Sequence, residues 1–247
     1  MRKIPWLTAT VLTGTTAVNL WAAAAPSVMR ALQRDPDGLS VRHWWRLASP
    51  LLVQSDGPAQ LVFNLVTLAV FGVLAERALG RARWLVLYLG AGLLGQALGY
   101  AWEPPGGGNS VAVCGLVGGI ATALLRGRGG LPEQAGQFAA FYAAALAGLA
   151  LGGWPAQVAA IGVVVLTSAA LGRRSGAAFA GRVLAGLVVL AGGALLAVQD
   201  HHGAALLCGL LLGALSLPGP GDPAAPGPPG RSPARRPGRP GVAAASE

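Results

Sequence analysis

Eight polar side chains stand inside or at the edges of stretches that are otherwise apolar: Gln60, Asn64, Glu76, Gln96, Ser110, Asp200, His201 and His202. Polar groups in such surroundings cost free energy and mark functional positions by default. Two of them are set apart by context. Ser110 follows Pro104-Pro105-Gly106-Gly107-Gly108-Asn109 and opens an apolar run, which puts it near a helix N-terminus. The free backbone N–H groups and the helix dipole there favour negative charge, which suits a developing oxyanion. His202 opens the last apolar run, ahead of Gly209 and Gly213. Where both runs descend from the same membrane face, the hydroxyl and the imidazole lie at similar depth. Each group also has a plainer role. Serine is a preferred N-cap, and His201 and His202 beside Asp200 suit an interfacial position. Gln60 and Asn64 suit hydrogen bonds between helices, Glu76 stands beside Arg77 at a helix end, and Gly209-x-x-x-Gly213 suits a close-packing seam.

The elements that must position these groups are apolar helices. Of 247 residues, 53% are hydrophobic and only 11% charged, against roughly 25% charged in ordinary soluble domains. Apolar runs near the roughly 20 residues that span a hydrocarbon core alternate with short polar breaks. The runs are apolar all round, unlike the surface helices of a soluble protein. They lack the period-two alternation of a membrane β-barrel. The fold class expected is therefore all-α, a polytopic transmembrane helix bundle. Cys114 and Cys208 both fall inside apolar runs, so they read as small packing residues and no disulfide framework or metal motif is indicated. The net charge of +9 does not indicate nucleic acid, because the basic residues sit mostly in the breaks, where they set membrane orientation.

The runs lie at about 5–25, 58–77, 84–102, 110–125, 136–153, 155–171, 179–198 and 202–217. Eight crossings leave both termini on one side. With the N-terminus inside, the inner breaks and the tail hold Arg2, Lys3, Arg77, Arg81, Arg83, Arg126, Arg128, Arg173, Arg174, Arg182, Arg231, Arg235, Arg236 and Arg239. Only Arg30, Arg34, Arg42 and Arg46 lie outside, in the first outer loop. That split follows the positive-inside rule and predicts a multi-pass protein of the cell membrane with both termini cytoplasmic. The first run, ending Trp21-Ala-Ala-Ala-Ala25, also fits a cleavable secretory signal, but its length favours a span. The loop 26–57 holds Pro26, Asp35, Pro36, Asp37 and His43-Trp44-Trp45, whose tryptophans suit the headgroup level. From Pro218 the composition turns to Pro, Gly, Ala and Arg. The expected organisation is a membrane-embedded domain over 1–217 and a disordered cytoplasmic tail over 218–247.

The segment Gly108-Asn-Ser110-Val-Ala-Val-Cys-Gly115-Leu resembles the GxSGxxxGL motif of the rhomboid intramembrane serine proteases. The run from His202 with Gly209 and Gly213 resembles that family's histidine helix. Trp45-Arg46 resembles its WR pair, and Gln60-Leu-Val-Phe-Asn64 with Gly72, Glu76 and Gly80 resembles its HxxxN…G…E…G helix. The resemblance covers about 41–126 and 179–217. It implies a rhomboid-like six-helix core with two additional helices, and a Ser–His dyad that cleaves transmembrane protein substrates in the lipid bilayer. Metal, cofactor and nucleic acid have no part in it. Ser110 would be the nucleophile and His202 the general base, later the acid for the leaving amine. Asn64, with the Ser110 backbone N–H, would donate to the oxyanion. Gln60 stands where the family usually has His, and an amide also donates. Water must reach the dyad from the outer side through a polar cavity.

Three departures accompany the match. Val111 replaces the glycine after the nucleophile, adding bulk beside the oxyanion site. Cys114 stands where an aromatic often packs against the histidine. Three apolar runs separate Ser110 from His202 where the six-helix core has one. Because an even insertion preserves the direction of the His202 helix, 136–153 and 155–171 are expected to pack outside the core as a hairpin, with 179–198 as the fifth core helix. Two other functions bear on this chain: a rhomboid-like pseudoprotease that binds transmembrane segments without cleaving them, and a small transporter. The transporter lacks the pair of broken helices and the charge pathway that would favour it.

Overall fold

The computed structural model describes residues 4–35, 39, 41–127 and 130–216. Arg2, Lys3, Pro36, Asp37, Arg128 and the tail 218–247 lie outside the described residues. Among the described residues the regular structure is helical, apart from one isolated backbone bridge between Arg34 and Gly106.

Helix α1 (Trp6–Ala24) leads at once into the short α2 (Pro26–Leu32), whose Pro26 takes the first position, where a missing N–H is harmless. Two 3₁₀ turns, Val41–Leu47 and Ser49–Leu52, then bring the chain to α3 (Pro58–Leu79). Gly80, at φ +88°, ends α3 and starts α4 (Arg81–Trp102); a side chain would strain that left-handed turn. α5 (Ser110–Leu125) is buried continuously from Ser110 to Ala123, and this is why its sequence is apolar all round. α6 (Ala135–Arg174), α7 (Ala177–Ala197) and α8 (His201–Ser216) complete the bundle. The helix ends lie within a few residues of the eight runs expected from hydropathy.

A straight α6 of 40 residues would be about 60 Å long, twice the hydrocarbon thickness. It breaks instead at Gly152 and Gly153, the latter at φ +67°, with Pro155 just beyond. Glycine alone takes that φ cheaply. The Gln157 side-chain amide donates back to the Ala145 carbonyl at 3.1 Å, so the two limbs form a tight hairpin.

The hairpin does not lie wholly outside the core, which corrects the expectation above. Ala135, Ala139, Ala140, Tyr142 and Ala143 of the first limb are buried in the central cluster with α5 and α7 residues. Tyr142 packs against Phe63 and Phe71 of α3. The reason is size: alanine and glycine let backbones approach, and a Cβ on Gly136 would already lie 3.3 Å from the Gly181 Cα. The second limb, carrying exposed Trp154, Val158 and Leu166, is the peripheral one. α7 packs against α8 and α5 as a core helix as well.

Two contacts fix the frame of the site. α5 and α8 meet along glycines, where Gly118 faces Leu206–Leu210 and Gly209 faces Gly115. Thr122 Oγ1 donates across this seam to the Leu210 carbonyl at 3.0 Å. Arg126 and Arg83 donate to the Ala214 and Ser216 carbonyls, satisfying the open C-terminal end of α8. At the other end of α3, buried Glu76 accepts the Leu7 and Thr8 N–H groups, the Thr8 hydroxyl and Arg81 Nε. Glu76 thus caps α1, whose own N-cap, Pro5, has no side chain to do so.

Among the described residues, four helices, α3, α4, α6 and α7, are long and apolar enough to cross a membrane, and α5 and α8 are shorter apolar helices. Leu166, Leu190, Leu211 and Leu215 turn most of their surface outward. An apolar exterior of this extent suits hydrocarbon and not water. The chain is an all-α, multi-pass membrane bundle.

Candidate active site

Ser110 is the first residue of α5 and His202 the second of α8. The glycine seam brings the two helices close enough for Ser110 Oγ to lie 2.8 Å from His202 Nε2. On the far side of the ring, His202 Nδ1 lies 2.8 Å from Asp200 Oδ1. The same oxygen accepts the His202 backbone N–H at 2.8 Å. An ionised carboxylate only accepts hydrogen bonds, so Nδ1 carries the proton and Nε2 is left to accept from the serine hydroxyl. Burial opposes ionisation of Asp200, but its bonds to His202 prevail and hold the carboxyl below the ordinary range.

The two histidines play different parts. The His201 ring lies against that of His202, with centroids 4.4 Å apart. Its Nδ1 sits 3.1 Å from Glu103 Oε1, and this contact holds the Glu103 carboxyl below its usual range against the opposing effect of burial. Cys114, at the position where the family often has an aromatic against the histidine, lies buried beside Tyr142, as a small packing residue does. The ring resting on His202 comes from His201. The Tyr142 hydroxyl donates to the Ser110 carbonyl at 3.2 Å, tying the first limb of α6 to the start of α5.

The loop before Ser110 is held at every turn. Arg34 and Gly106 exchange backbone hydrogen bonds, Gly107 N–H donates to Ser55 Oγ, and Gly108 N–H donates to the Pro50 carbonyl. Gln96 donates to the Gly108 carbonyl and accepts from the buried Arg34 guanidinium. A Cβ on Gly107 would fall 2.8 Å from a Val53 methyl, so the loop needs glycine there for space.

The expected donors differ in their freedom. Gln60 Nε2 donates to Asp56 Oδ2 and the Gly107 carbonyl, and its Oε1 accepts the Asp56 N–H. A point one Cβ length above Gly108 lies 3.1 Å from Gln60 Nε2 and 3.4 Å from Ser110 Oγ. The same point lies 3.3 Å from Gln54 Oε1, so an amide donor already committed elsewhere, an amide acceptor and the hydroxyl border one small space. Asn64 is buried, and its Nδ2 donates to Gln54 Oε1, leaving its second N–H available. Gln54 in turn donates from its side-chain amide to Asn109 Oδ1 and from its backbone N–H to Asn19 Oδ1. Val111 does not crowd this space, contrary to expectation. It faces α4, where Gly95 leaves room, the would-be Cβ of Gly95 being 3.0 Å from Val111 Cβ.

Ser110 and His202 border two cavities. One, about 200 Å³, is lined by polar groups that include Arg34, Asp56, Gln60, Gln96 and Glu103. The other, about 420 Å³, is a groove whose walls include Phe63 and Asn64 of α3 and Ala145, Leu146 and Leu149 of α6. Asp200, His201 and His202 also bring three metal-ligand atoms within 4.8 Å of one another. Asp200 and His202 are hydrogen-bonded to each other, and His201 Nδ1 lies 3.1 Å from Glu103 Oε1. Trp45 and Arg46 stand apart from the two cavities, with Arg46 near Asp35 and its carbonyl bonded to Tyr100.

The sequence reading did not assign roles to Asp200, Gln54 or Arg34. Asp200 carries a signal, an acidic N-cap residue just ahead of a helix. Gln54 carries a fainter one, a lone amide after Leu51-Leu52-Val53.

A family model described as "Rhomboid domain" matches residues 41–166, about half of the chain. That stretch contains Gln60, Asn64 and Ser110 and ends before His202. "Putative rhomboid protease YdcA" of Bacillus subtilis (strain 168) is 39% identical over 67 residues, 27% of this chain and 33% of that protein. "Rhomboid protease GluP" of the same organism is 36% identical over 86 residues, 34% of this chain and 17% of that protein. The chain thus spans a third or less of the length of these relatives.

Proposed function

This chain belongs to the rhomboid family, and from that premise we propose that it is an intramembrane serine protease using Ser110 and His202 as a catalytic pair. The observation that carries the reading is the 2.8 Å contact between Ser110 Oγ and His202 Nε2. The two residues are 92 positions apart and meet at the border of a polar cavity and an apolar-walled groove.

The groove between α3 and the first limb of α6 admits an unwound stretch of a transmembrane substrate, and the polar cavity admits water. Ser110 Oγ attacks the scissile carbonyl as its proton passes to His202 Nε2. The oxyanion forms beside the N-terminus of α5, where the Ser110 backbone N–H and the second Asn64 N–H offer donors, and Gln60 joins them only by giving up its bond to Asp56 or to the Gly107 carbonyl. His202 then returns the proton to the leaving amine, and the acyl-enzyme forms. Water activated by the same imidazole releases the acyl product and restores the serine. The inventory of basic residues on the breaks supports a reading with both termini in the cytoplasm. The membrane-embedded domain is taken as 1–217, with 218–247 as a cytoplasmic tail.

A pseudoprotease of the same fold would bind transmembrane segments and cleave none. A fluorophosphonate probe separates the two. Labelling of the wild-type protein that is lost in Ser110→Ala supports the protease. Equal labelling of both proteins contradicts it.

A further inference from the structure

The geometry points to Asp200 as a positioning residue that turns the Ser110–His202 pair into a three-membered relay. This rests on the protease reading and goes beyond the two-residue dyad that the family resemblance implies.

Three contacts of 2.8 Å define the arrangement: Ser110 Oγ to His202 Nε2, His202 Nδ1 to Asp200 Oδ1, and the His202 backbone N–H to Asp200 Oδ1. One oxygen therefore holds the ring and its backbone together, so the imidazole cannot rotate about its side-chain bonds without losing a hydrogen bond. The carboxylate also fixes the tautomer, since it accepts from Nδ1 and leaves Nε2 free to take the serine proton. When that proton arrives, the ring becomes a cation beside an anion, which lowers the cost of the step. The charge balance around the ring is simple. Ser110 faces it from α5, His201 lies against it from α8, and Glu103 at the end of α4 is engaged with His201. Asp200 is the carboxylate that bonds directly to His202.

The backbone that presents Asp200 is unusual. The Asp200 N–H bonds to the Leu195 carbonyl and the Gln199 N–H to that of Leu196, ending α7 in a Schellman turn. The position that normally takes glycine is Gln199, at φ +59°. A residue held against its preference one place before the carboxylate is the pattern of a constrained site.

A purely structural role competes: Asp200 is also the N-cap of α8. Asn and Ser cap as well as Asp, so two variants separate the roles in the full-length protein, reconstituted with a transmembrane substrate. Asp200→Asn keeps an oxygen for the cap and for Nδ1 but removes the charge. Asp200→Ser keeps the cap and is too short to reach Nδ1. The expected result is a fall in kcat of about 10-fold for Asp200→Asn and about 10²-fold for Asp200→Ser, the latter at the lower end of the range a positioned general base contributes. KM and the thermal midpoint should stay near wild type in both. Wild-type kcat in Asp200→Ser overturns the inference while leaving the protease reading intact. So does a kcat loss that follows a lowered thermal midpoint in both variants. Equal cleavage by wild type and Ser110→Ala defeats both readings together.

Discussion

Replacing Gly209 with alanine should disable the site from two helical turns away. Its Cβ would fall 2.7 Å from the Gly115 Cα and 2.9 Å from the Gly115 carbonyl carbon. Both are backbone atoms of a helix buried on every side, so no flexible side chain can yield. Restoring carbon–carbon contact to about 3.5 Å requires α8 to move off α5 by about 0.8 Å. His202 lies seven residues toward the N-terminus, about 10.5 Å along the axis, and moves with the helix. The Ser110–His202 contact, 2.8 Å in the native protein, would open to about 3.6 Å, beyond a hydrogen bond. A displacement of this size costs about 10²-fold in rate. The assay is cleavage of a transmembrane substrate in proteoliposomes, with thermal unfolding measured on the same preparation. Gly186→Ala and Gly193→Ala, where a Cβ meets nothing within 4 Å, are the controls and should cleave at the native rate. Gly213→Ala should be milder than Gly209→Ala, because its nearest neighbour is a side-chain atom, Thr122 Oγ1 at 3.0 Å. A folded Gly209→Ala protein with full activity would refute the claim that the glycine seam sets the catalytic distance.

Glu76→Ala should destabilise the bundle by about 2–3 kcal/mol, since it strips the cap from α1 and strands buried N–H donors; Glu76→Gln should cost less, and wild-type thermal stability in Glu76→Ala would count against the cap. Gln199→Gly should stabilise the protein by about 0.5–1 kcal/mol, the left-handed cost less the entropy of glycine, and a lower melting temperature would show that Gln199 is not strained. Because the Glu103 carboxyl is held below its ordinary value, its stabilisation is present above the unfolded pKa of about 4.3 and is lost as pH falls through the depressed folded value. The melting temperature should therefore drop from pH 5 toward pH 3 less steeply in Glu103→Gln than in wild type, and superimposable profiles would remove the Glu103–His201 contact from the account.

Much of the fold was legible because the chain punctuates itself. Gly80, Gly57-Pro58, Gly153-Trp154-Pro155 and the arginine pairs bound apolar stretches, and the helices end within a few residues of them. Ser110 and His202 were legible because each opens a helix and each belongs to a spaced motif. The place of the first α6 limb was not. An alanine-rich helix reads the same whether it faces lipid or protein, and the burial of Ala139 and Ala143 follows from close approach to partners that hydropathy does not identify. The direction of Val111 was hidden for a similar reason, since the room for it is made by Gly95 on another helix. The link from Asp200 to His202 depends on a left-handed turn at a residue that is not glycine. Sequence patterns give no signal for such a turn.

The central claim is that Ser110 and His202 act as one chemical unit, and a four-way comparison in proteoliposomes tests it most directly. Cleavage of a transmembrane substrate would be measured for wild type, Ser110→Ala, His202→Ala and the double variant. Groups that act together lose activity together, so each single variant should fall to the uncatalysed background and the double variant should be no lower. His201→Ala should retain more activity than His202→Ala. Substantial cleavage by Ser110→Ala, or additive losses from two partly active single variants, would contradict the account.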